Sequence, residues 1–240
     1  WWYDMNGGWF DDPEIYSLIS VMYKEWEYAL ETVRKKMLAY NKSFADIGLD
    51  VKKADDFVND RLDGIKSCLK YIMYLRTAGH SKPADYLPST REFLAAVGEA
   101  HSAFNSALIL KANGVNARFV DLSGWMSMEV QTLDQAILNA FKDVDFATEM
   151  PIVTGYVKYD EGIMRHFDRG YSEITFSRLA VLTQAREGII HKEFHLSTGD
   201  PKLIGVDKVK IIGNTNFDIA DQLSDMDMEA IHSKAAKDME

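Results

Sequence analysis

Apolar residues recur every three or four positions over two long stretches near the start of the chain. The stretches cover residues 14–44 and 51–76, and this spacing places the apolar side chains on one face of a helix. A third helix is predicted from Arg91 to Ala112 and is ended by Gly114. The front of the chain is therefore expected to be mainly helical.

The second half alternates between strand and helix patterns. Short β-branched or apolar runs predict strands at Val115–Leu122, Met150–Val157, Gly188–His191 and Lys208–Ile212. Helical spacing predicts helices at Leu133–Phe141, after Ser172 and at Thr215–Leu223, and a turn at Gly162 is expected to link two short extended pieces. This alternation predicts an α/β domain with a mainly parallel sheet and a helical insertion at its front.

A charged segment precedes the helix that follows Ser172, the expected N-cap. A helix start leaves backbone N–H groups free, and Arg169 adds a guanidinium that can bind a carboxylate or phosphate through two nitrogens. The segment is thus a candidate anion site. An arginine before a helix is, however, more often a solvated surface residue, so the residues alone leave both interpretations open.

Two further polar groups are candidates for the same crevice. Lys192, Glu193 and His195 follow a predicted strand, and ligands of open α/β sheets collect at the carboxyl ends of strands. Glu99 lies among apolar residues of the third predicted helix, where it could hold a substrate ammonium or simply face water. Taken alone, solvation is the better interpretation for Glu99.

Composition narrows the class of protein. The chain has 240 residues, 47% of them hydrophobic, and a net charge of −10 with a pI near 5.1, which argues against a nucleic-acid surface. The single cysteine, Cys68, is expected to be a small core residue in a protein of the reducing cytoplasm. No membrane span is expected. The start at Trp1 without methionine indicates a fragment.

Five short blocks carry a resemblance to a known family. The chain resembles aspartate kinases of the amino acid kinase family, most closely the type associated with ectoine biosynthesis. The resemblance implies an incomplete three-layer αβα sandwich of the carbamate-kinase type, one partial domain over residues 1–240 with a mainly helical region at 14–112 and an α/β nucleotide- and substrate-binding region at 113–240. The blocks, in chain order, are Gly98–Ser102, Asp121–Trp125, Val153–Tyr156, Phe167–Glu173 and Thr198–Lys202.

The resemblance also implies roles for individual residues. Arg169 would bind the α-carboxylate of aspartate, Glu99 would meet its ammonium group, and Ser172 and Glu173 would belong to the same substrate site. The residues implied at the nucleotide are His191, Lys192, Glu193, Asp200 and Lys202.

The activity implied is transfer of a phosphoryl group from ATP, with Mg²⁺, to the β-carboxylate of L-aspartate. Full-length relatives are expected to form homo-oligomers, with no nucleic-acid or membrane partner. Three departures are apparent: the Lys-x-Gly-Gly strand is missing, His191 and Lys192 replace a Thr-Asp pair, and Glu229 stands where relatives have Lys. We therefore expect the chain to be inactive alone, with its catalytic residues unknown.

Two alternatives remain open from the sequence. The first is a non-catalytic binding or regulatory protein that kept the crevice. The second is a kinase for another small acid, such as glutamate, N-acetylglutamate or carbamate, although Glu99 favours a substrate with a free amino group.

Overall fold

The computed structural model describes residues 13–77, 79, 82–167, 170–191, 196–225 and 231–239, with residues 13–24, 77, 83, 84, 224 and 225 described by their backbone. The chain divides into two compact units, Trp1–Ser81 and Lys82–Glu240. The third predicted helix belongs to the second unit, so the mainly helical region predicted for residues 14–112 is shared between both units.

The first unit contains two long helices, α1 (Pro13–Ser43) and α2 (Val51–Thr77), as the apolar spacing predicted. A short 3-10 turn at Ala45–Ile47 joins them. Arg34 of α1 donates to Asn59 at 2.7 Å and to Asp63 at 2.6 Å, which fixes α1 beside α2. The buried stripe of α2 consists of Ala54, Val58, Leu62 and Ile65.

Cys68 is exposed, so the prediction that it is a core residue is wrong. It lies three residues beyond Ile65, the last fully buried residue of the α2 stripe. The prediction rested on the chain having a single cysteine, whereas the buried part of α2 ends before Cys68 is reached.

The second unit begins with helix α3 (Pro83–Ala112), which starts earlier than predicted. Asp85 accepts from the backbone N–H of Lys82, and Pro83 supplies a preset φ in the first turn. Strand β1 (Ala117–Val120), helix α4 (Leu133–Phe141) and strand β2 (Met150–Val153) follow. Both strands are shorter than predicted.

Strands β1 and β2 pair in parallel, with Ala117 opposite Met150 and Val120 opposite Val153. Parallel neighbours need a crossover connection, and α4 provides it. The carboxyl ends of both strands therefore open onto the same edge. The core against this pair consists of Ala96, Val120, Leu122, Ile137, Phe141, Val144, Tyr156, Val157 and Ile163.

The remaining described elements are helical. They are α5 (Ile163–Phe167), α6 (Tyr171–Leu182), α7 (Pro201–Ile204), α8 (Phe217–Asp225) and α9 (Ser233–Asp238). The predicted helix at Thr215–Leu223 corresponds to α8, where Asn216 accepts from Ile219 N–H at 2.9 Å. Helix α9 packs against α6 and α8.

Three local predictions are wrong. Gly162 leads into α5 rather than a second extended piece, because the carboxylate of Glu92 accepts the backbone N–H of Arg165 at the start of that helix. Residues 188–191 form no strand, and Ile189 is 65% exposed instead of buried. In place of the strand predicted at 208–212 there is one antiparallel bridge, between Ser197 and Ile211.

One described helical stretch, Asp85–Ala112, is long and apolar enough to cross a membrane by length and composition, whereas the sequence pattern suggested none. A third of its most apolar window is buried. Core helices of soluble proteins meet the same criterion, and Ala96, Val97 and Ala100 are buried here. The stretch is weak evidence for a membrane span.

Candidate functional site

The structure brings together part of the predicted site. Glu99, Ser172 and Glu173 lie in the described part of the chain, as do His191, Asp200 and Lys202. Arg169, Lys192, Glu193 and Glu229 lie outside the described residues, so their predicted roles stay predictions.

Glu99 and Ser172 are in direct contact. Glu99 projects from α3, and the Ser172 hydroxyl at the start of α6 donates to Glu99 Oε1 at 2.7 Å. The second oxygen, Oε2, is buried and has no hydrogen-bond partner within the described residues. A buried carboxylate oxygen without a donor is costly, so this atom is suited to accept a hydrogen bond from a ligand cation. Glu99 is partly buried, rather than solvated as the sequence alone favoured.

Ser172 is therefore not the N-cap of α6. That position is Gly170, with φ 82° in the left-handed region. The Ser172 side chain turns to Glu99 instead, a contact between residues 73 positions apart that local sequence rules cannot anticipate.

Gly155, two residues after β2, forms the floor beneath this contact. A Cβ at this position would lie 2.4 Å from Glu99 Oε2 and 2.8 Å from the Ser172 hydroxyl oxygen. Only glycine lets the backbone approach the carboxylate this closely.

Two buried threonines hold that backbone in place. The hydroxyl of Thr175 in α6 donates to the Gly155 carbonyl at 2.6 Å. The hydroxyl of Thr154 accepts from Leu122 N–H at 3.1 Å and donates to the Tyr156 carbonyl at 2.8 Å, which joins the ends of β1 and β2. These hydrogen bonds thus join the strand ends and α6 beside Glu99.

Helix α6 presents its amino end to the same region. Within the described residues no side chain caps the helix at Gly170, and the helix dipole favours negative charge there. The ring of His232 packs against Gly170, where a Cβ would lie 2.6 Å from its Cδ2 atom. The Glu173 carboxylate accepts the backbone N–H of His232. Glu173 thereby joins α6 to the segment that begins α9.

Tyr156 and Tyr171 pack edge to face, with 6.1 Å between their ring centroids. Burial, followed by the charge of Glu99, raises the pKa of Tyr171 above its ordinary value of 10.0. Burial, followed by the charge of Glu92, raises the pKa of Tyr156 in the same way. Both phenols therefore stay protonated at neutral pH and can act as hydrogen-bond donors.

Sequence reasoning missed Glu92 and Thr154. Glu92 lies seven residues before Glu99, which is two helical turns and hence the same face of α3. That spacing could have identified it. Thr154 lies in the resemblance block Val153–Tyr156, but that block implied no role for it.

Three of the residues predicted to bind the nucleotide are described, namely His191, Asp200 and Lys202. The Asp200 carboxylate caps α7 by accepting Lys202 N–H at 2.7 Å, while the His191 side chain is exposed. The described residues contain no group of three His, Cys, Asp or Glu side chains that could hold a metal ion. Nucleotide phosphates commonly supply much of the coordination of Mg²⁺ in kinases, so such a group of protein side chains is not required there.

The fold and this pocket define a class of protein that comparison with known sequences identifies. The amino acid kinase family matches residues 29–239, and the chain belongs to that family. Its helices around a small parallel sheet fit an incomplete αβα fold of this family.

Two individual proteins of known name are similar to this chain. The chain is 47% identical over 228 residues to aspartate kinase Ask_Ect of Stutzerimonas stutzeri (strain A1501), which covers 94% of this chain and 48% of the relative. It is 27% identical over 169 residues to an aspartokinase of Schizosaccharomyces pombe (strain 972), covering 66% of this chain and 31% of the relative. The chain thus spans half the length or less of these relatives. No solved structure gives a significant match.

Proposed function

We propose that this chain is part of an aspartate kinase of the ectoine-associated type, which phosphorylates the β-carboxylate of L-aspartate with ATP. A carboxylate oxygen of the substrate attacks the γ-phosphorus, and the bond from phosphorus to ADP breaks, giving an acyl phosphate. The relative that is 47% identical supports this activity by its name.

One observation carries the substrate assignment. Glu99 Oε2 is buried without a partner in the described part of the chain, directly over Gly155. An ammonium group on the ligand would supply the missing donor, and charge-assisted hydrogen bonds of this kind are among the stronger ones in proteins. We therefore assign this site to a substrate with a free α-amino group rather than to an N-acetylated acid, which has no ammonium group to donate.

The remaining predicted contacts belong to the same proposal. Arg169 would bind the α-carboxylate at the amino end of α6, with Ser172 and Glu173 beside it. ATP would meet His191, Lys192, Glu193, Asp200 and Lys202, and Mg²⁺ would be held chiefly by nucleotide phosphates. We place the protein in the cytoplasm, as expected for a chain with a single cysteine. The homo-oligomer stays a prediction for the full-length protein.

The test compares two dicarboxylic acids that differ in the amino group. We expect the chain to bind L-aspartate more tightly than succinate in isothermal titration calorimetry. Glu99→Gln should weaken aspartate binding by about tenfold or more, the equivalent of about 1.5 kcal/mol for a hydrogen bond to a charged group, and leave succinate binding nearly unchanged.

The matched control is Glu187→Gln, the same substitution at an exposed glutamate paired with Arg186 on the surface. It should leave both affinities unchanged. Equal affinity of the Glu99→Gln variant and the unaltered chain for aspartate would refute the assignment. Tighter binding of L-glutamate than of L-aspartate would redirect it to another small acid.

A further inference from the structure

Helix α3 holds the segment that follows β2 at two points. Glu92 and Glu99 are seven residues apart on α3, about 10.5 Å along one face of the helix. Glu92 Oε1 accepts from the Arg165 backbone N–H at 2.8 Å, and Glu99 Oε1 accepts from the Ser172 hydroxyl at 2.7 Å. Each carboxylate contacts a residue 73 positions further along the chain, so the two contacts are in register.

Glu92 is the more deeply buried of the two carboxylates. The residue is 8% exposed, and its Oε2 atom is buried with no hydrogen-bond partner in the part of the chain that is described. Gly162 lies against it, since a Cβ there would be 2.8 Å from Glu92 Oε1. A buried carboxylate that is only partly hydrogen-bonded is a poor source of stability, because an apolar side chain of similar size avoids the desolvation cost.

A line of contacts leads from Glu92 to the pocket. Tyr156 is 4% exposed, and its pKa is raised by burial and then by the charge of Glu92. Tyr156 packs edge to face on Tyr171. Tyr171 in turn lies near Glu99, whose charge is the second cause of the raised pKa of this phenol, after burial. The groups on this line therefore follow one another in the order Glu92, Tyr156, Tyr171, Glu99.

We propose that Glu92 is a positioning residue, which holds residues 156–167 against α3 through Arg165 N–H and Tyr156 so that Tyr171 and Ser172 meet Glu99. The proposal rests on the proposed function, because the pocket it orders is the one assigned to aspartate. Glu92 acts through these neighbours and is not assigned a contact with the substrate.

The first experiment removes the charge of Glu92 and keeps its size. Glu92→Gln retains an oxygen for Arg165 N–H but removes the negative charge that raises the pKa of Tyr156. With [¹³Cζ]tyrosine labelling, we expect the Tyr171 resonance, assigned with Tyr171→Phe, to shift. The dissociation constant for aspartate should rise at least fivefold. Glu187→Gln should change neither quantity.

A second variant reaches the same contact from the other side. Gly162→Ala places a Cβ against Glu92 Oε1 at a φ of +78°, and Gly114→Ala is its control because Gly114 has a φ of +86° with no atom within 4 Å of the added Cβ. Both alanines carry the backbone strain, but only Gly162→Ala should move the Tyr171 resonance. Tyr156→Phe keeps the ring and removes the hydroxyl, and it should also shift the Tyr171 resonance. This variant replaces Glu92→Gln in the test if Glu92→Gln folds poorly.

The outcomes separate the two proposals. A lower unfolding temperature in Glu92→Gln with an unshifted Tyr171 resonance would show a structural role only and overturn the inference. An unaltered chain that binds no aspartate, together with a shifted Tyr171 resonance in Glu92→Gln, would remove the proposed function and keep the positioning role. If the unaltered chain binds aspartate and Glu92→Gln binds it with the same affinity, the positioning role of Glu92 is overturned.

Discussion

At the residue scale, the site depends on the absence of one side chain. Gly155 allows the end of β2 to pass beneath Glu99 Oε2 and Ser172, and any larger residue would displace one of them. Gly98, the neighbour of Glu99 in α3, has open space around it. Gly98 and Gly155 both lie in blocks that carry the family resemblance. A close contact requires glycine at position 155, whereas no steric contact in the described structure requires it at position 98.

We predict opposite effects for alanine at these two positions. Gly155→Ala should weaken aspartate binding by tenfold or more, because the added Cβ would lie 2.4 Å from Glu99 Oε2. Gly98→Ala should leave binding intact and raise the free energy of unfolding by about 0.5–1 kcal/mol, as expected for alanine in a helix interior. Calorimetric titration and urea unfolding measure these effects. Equal binding by the two variants would contradict the steric argument.

At the element scale, a polar cluster joins the amino ends of β1 and β2. It lies at the opposite end of the strands from Gly155. The Arg118 guanidinium donates to the Asp143 carbonyl at 2.6 Å and to Glu149 Oε2 at 3.0 Å. Glu149 also accepts from Asp145 N–H at 3.1 Å. These donors lower the pKa of Glu149 below its ordinary value of 4.5, with the backbone hydrogen bond as the largest cause.

This cluster predicts a specific pH dependence. A carboxyl group whose pKa is lowered in the folded state stabilises the fold above its ordinary pKa, and the contribution is lost as pH falls through the folded value. The unfolding temperature should therefore drop between about pH 5 and about pH 3, and less steeply in Glu149→Gln. Thermal denaturation followed by circular dichroism measures both. Glu187→Gln should keep the slope of the unaltered chain, and an unchanged slope in Glu149→Gln would contradict the prediction.

At the scale of the whole molecule, the described core around the two strands lies within the second unit. Its buried members run from Ala96 to Ile163, and Glu99, Gly155 and Ser172 all lie in residues 82–240. The described part of the first unit consists chiefly of two long helices, and a pair of helices buries little apolar surface by itself.

We predict that residues 82–240 expressed alone unfold cooperatively and bind aspartate with an affinity within about threefold of the whole chain, roughly 0.6 kcal/mol. Residues 13–77 expressed alone should show helical circular dichroism with a broad, weakly cooperative transition. Loss of cooperative unfolding in the 82–240 fragment would mean that its core depends on the first unit.

Local patterns predicted the elements that pack by one face. The spacing of apolar residues identified α1, α2, α4 and α8, because a helix that buries one stripe must repeat it every three or four residues. The same reasoning failed at Gly188–His191, where a short apolar run predicts a strand and the structure has none. A strand also requires a neighbour to accept its backbone hydrogen bonds, and a local pattern contains no information about that neighbour.

The sequence by itself determined the helical front, the parallel crossover through α4 and, through the order of its five blocks, the family. The tertiary structure decided what Glu99 and Glu92 do. Each meets a residue 73 positions away, and only the packing of α3 against the segment after β2 turns an acid on a helix into a group with a buried carboxylate oxygen that has no partner among the described residues. Burial is a property of the folded neighbourhood, so the sequence of one helix cannot specify it.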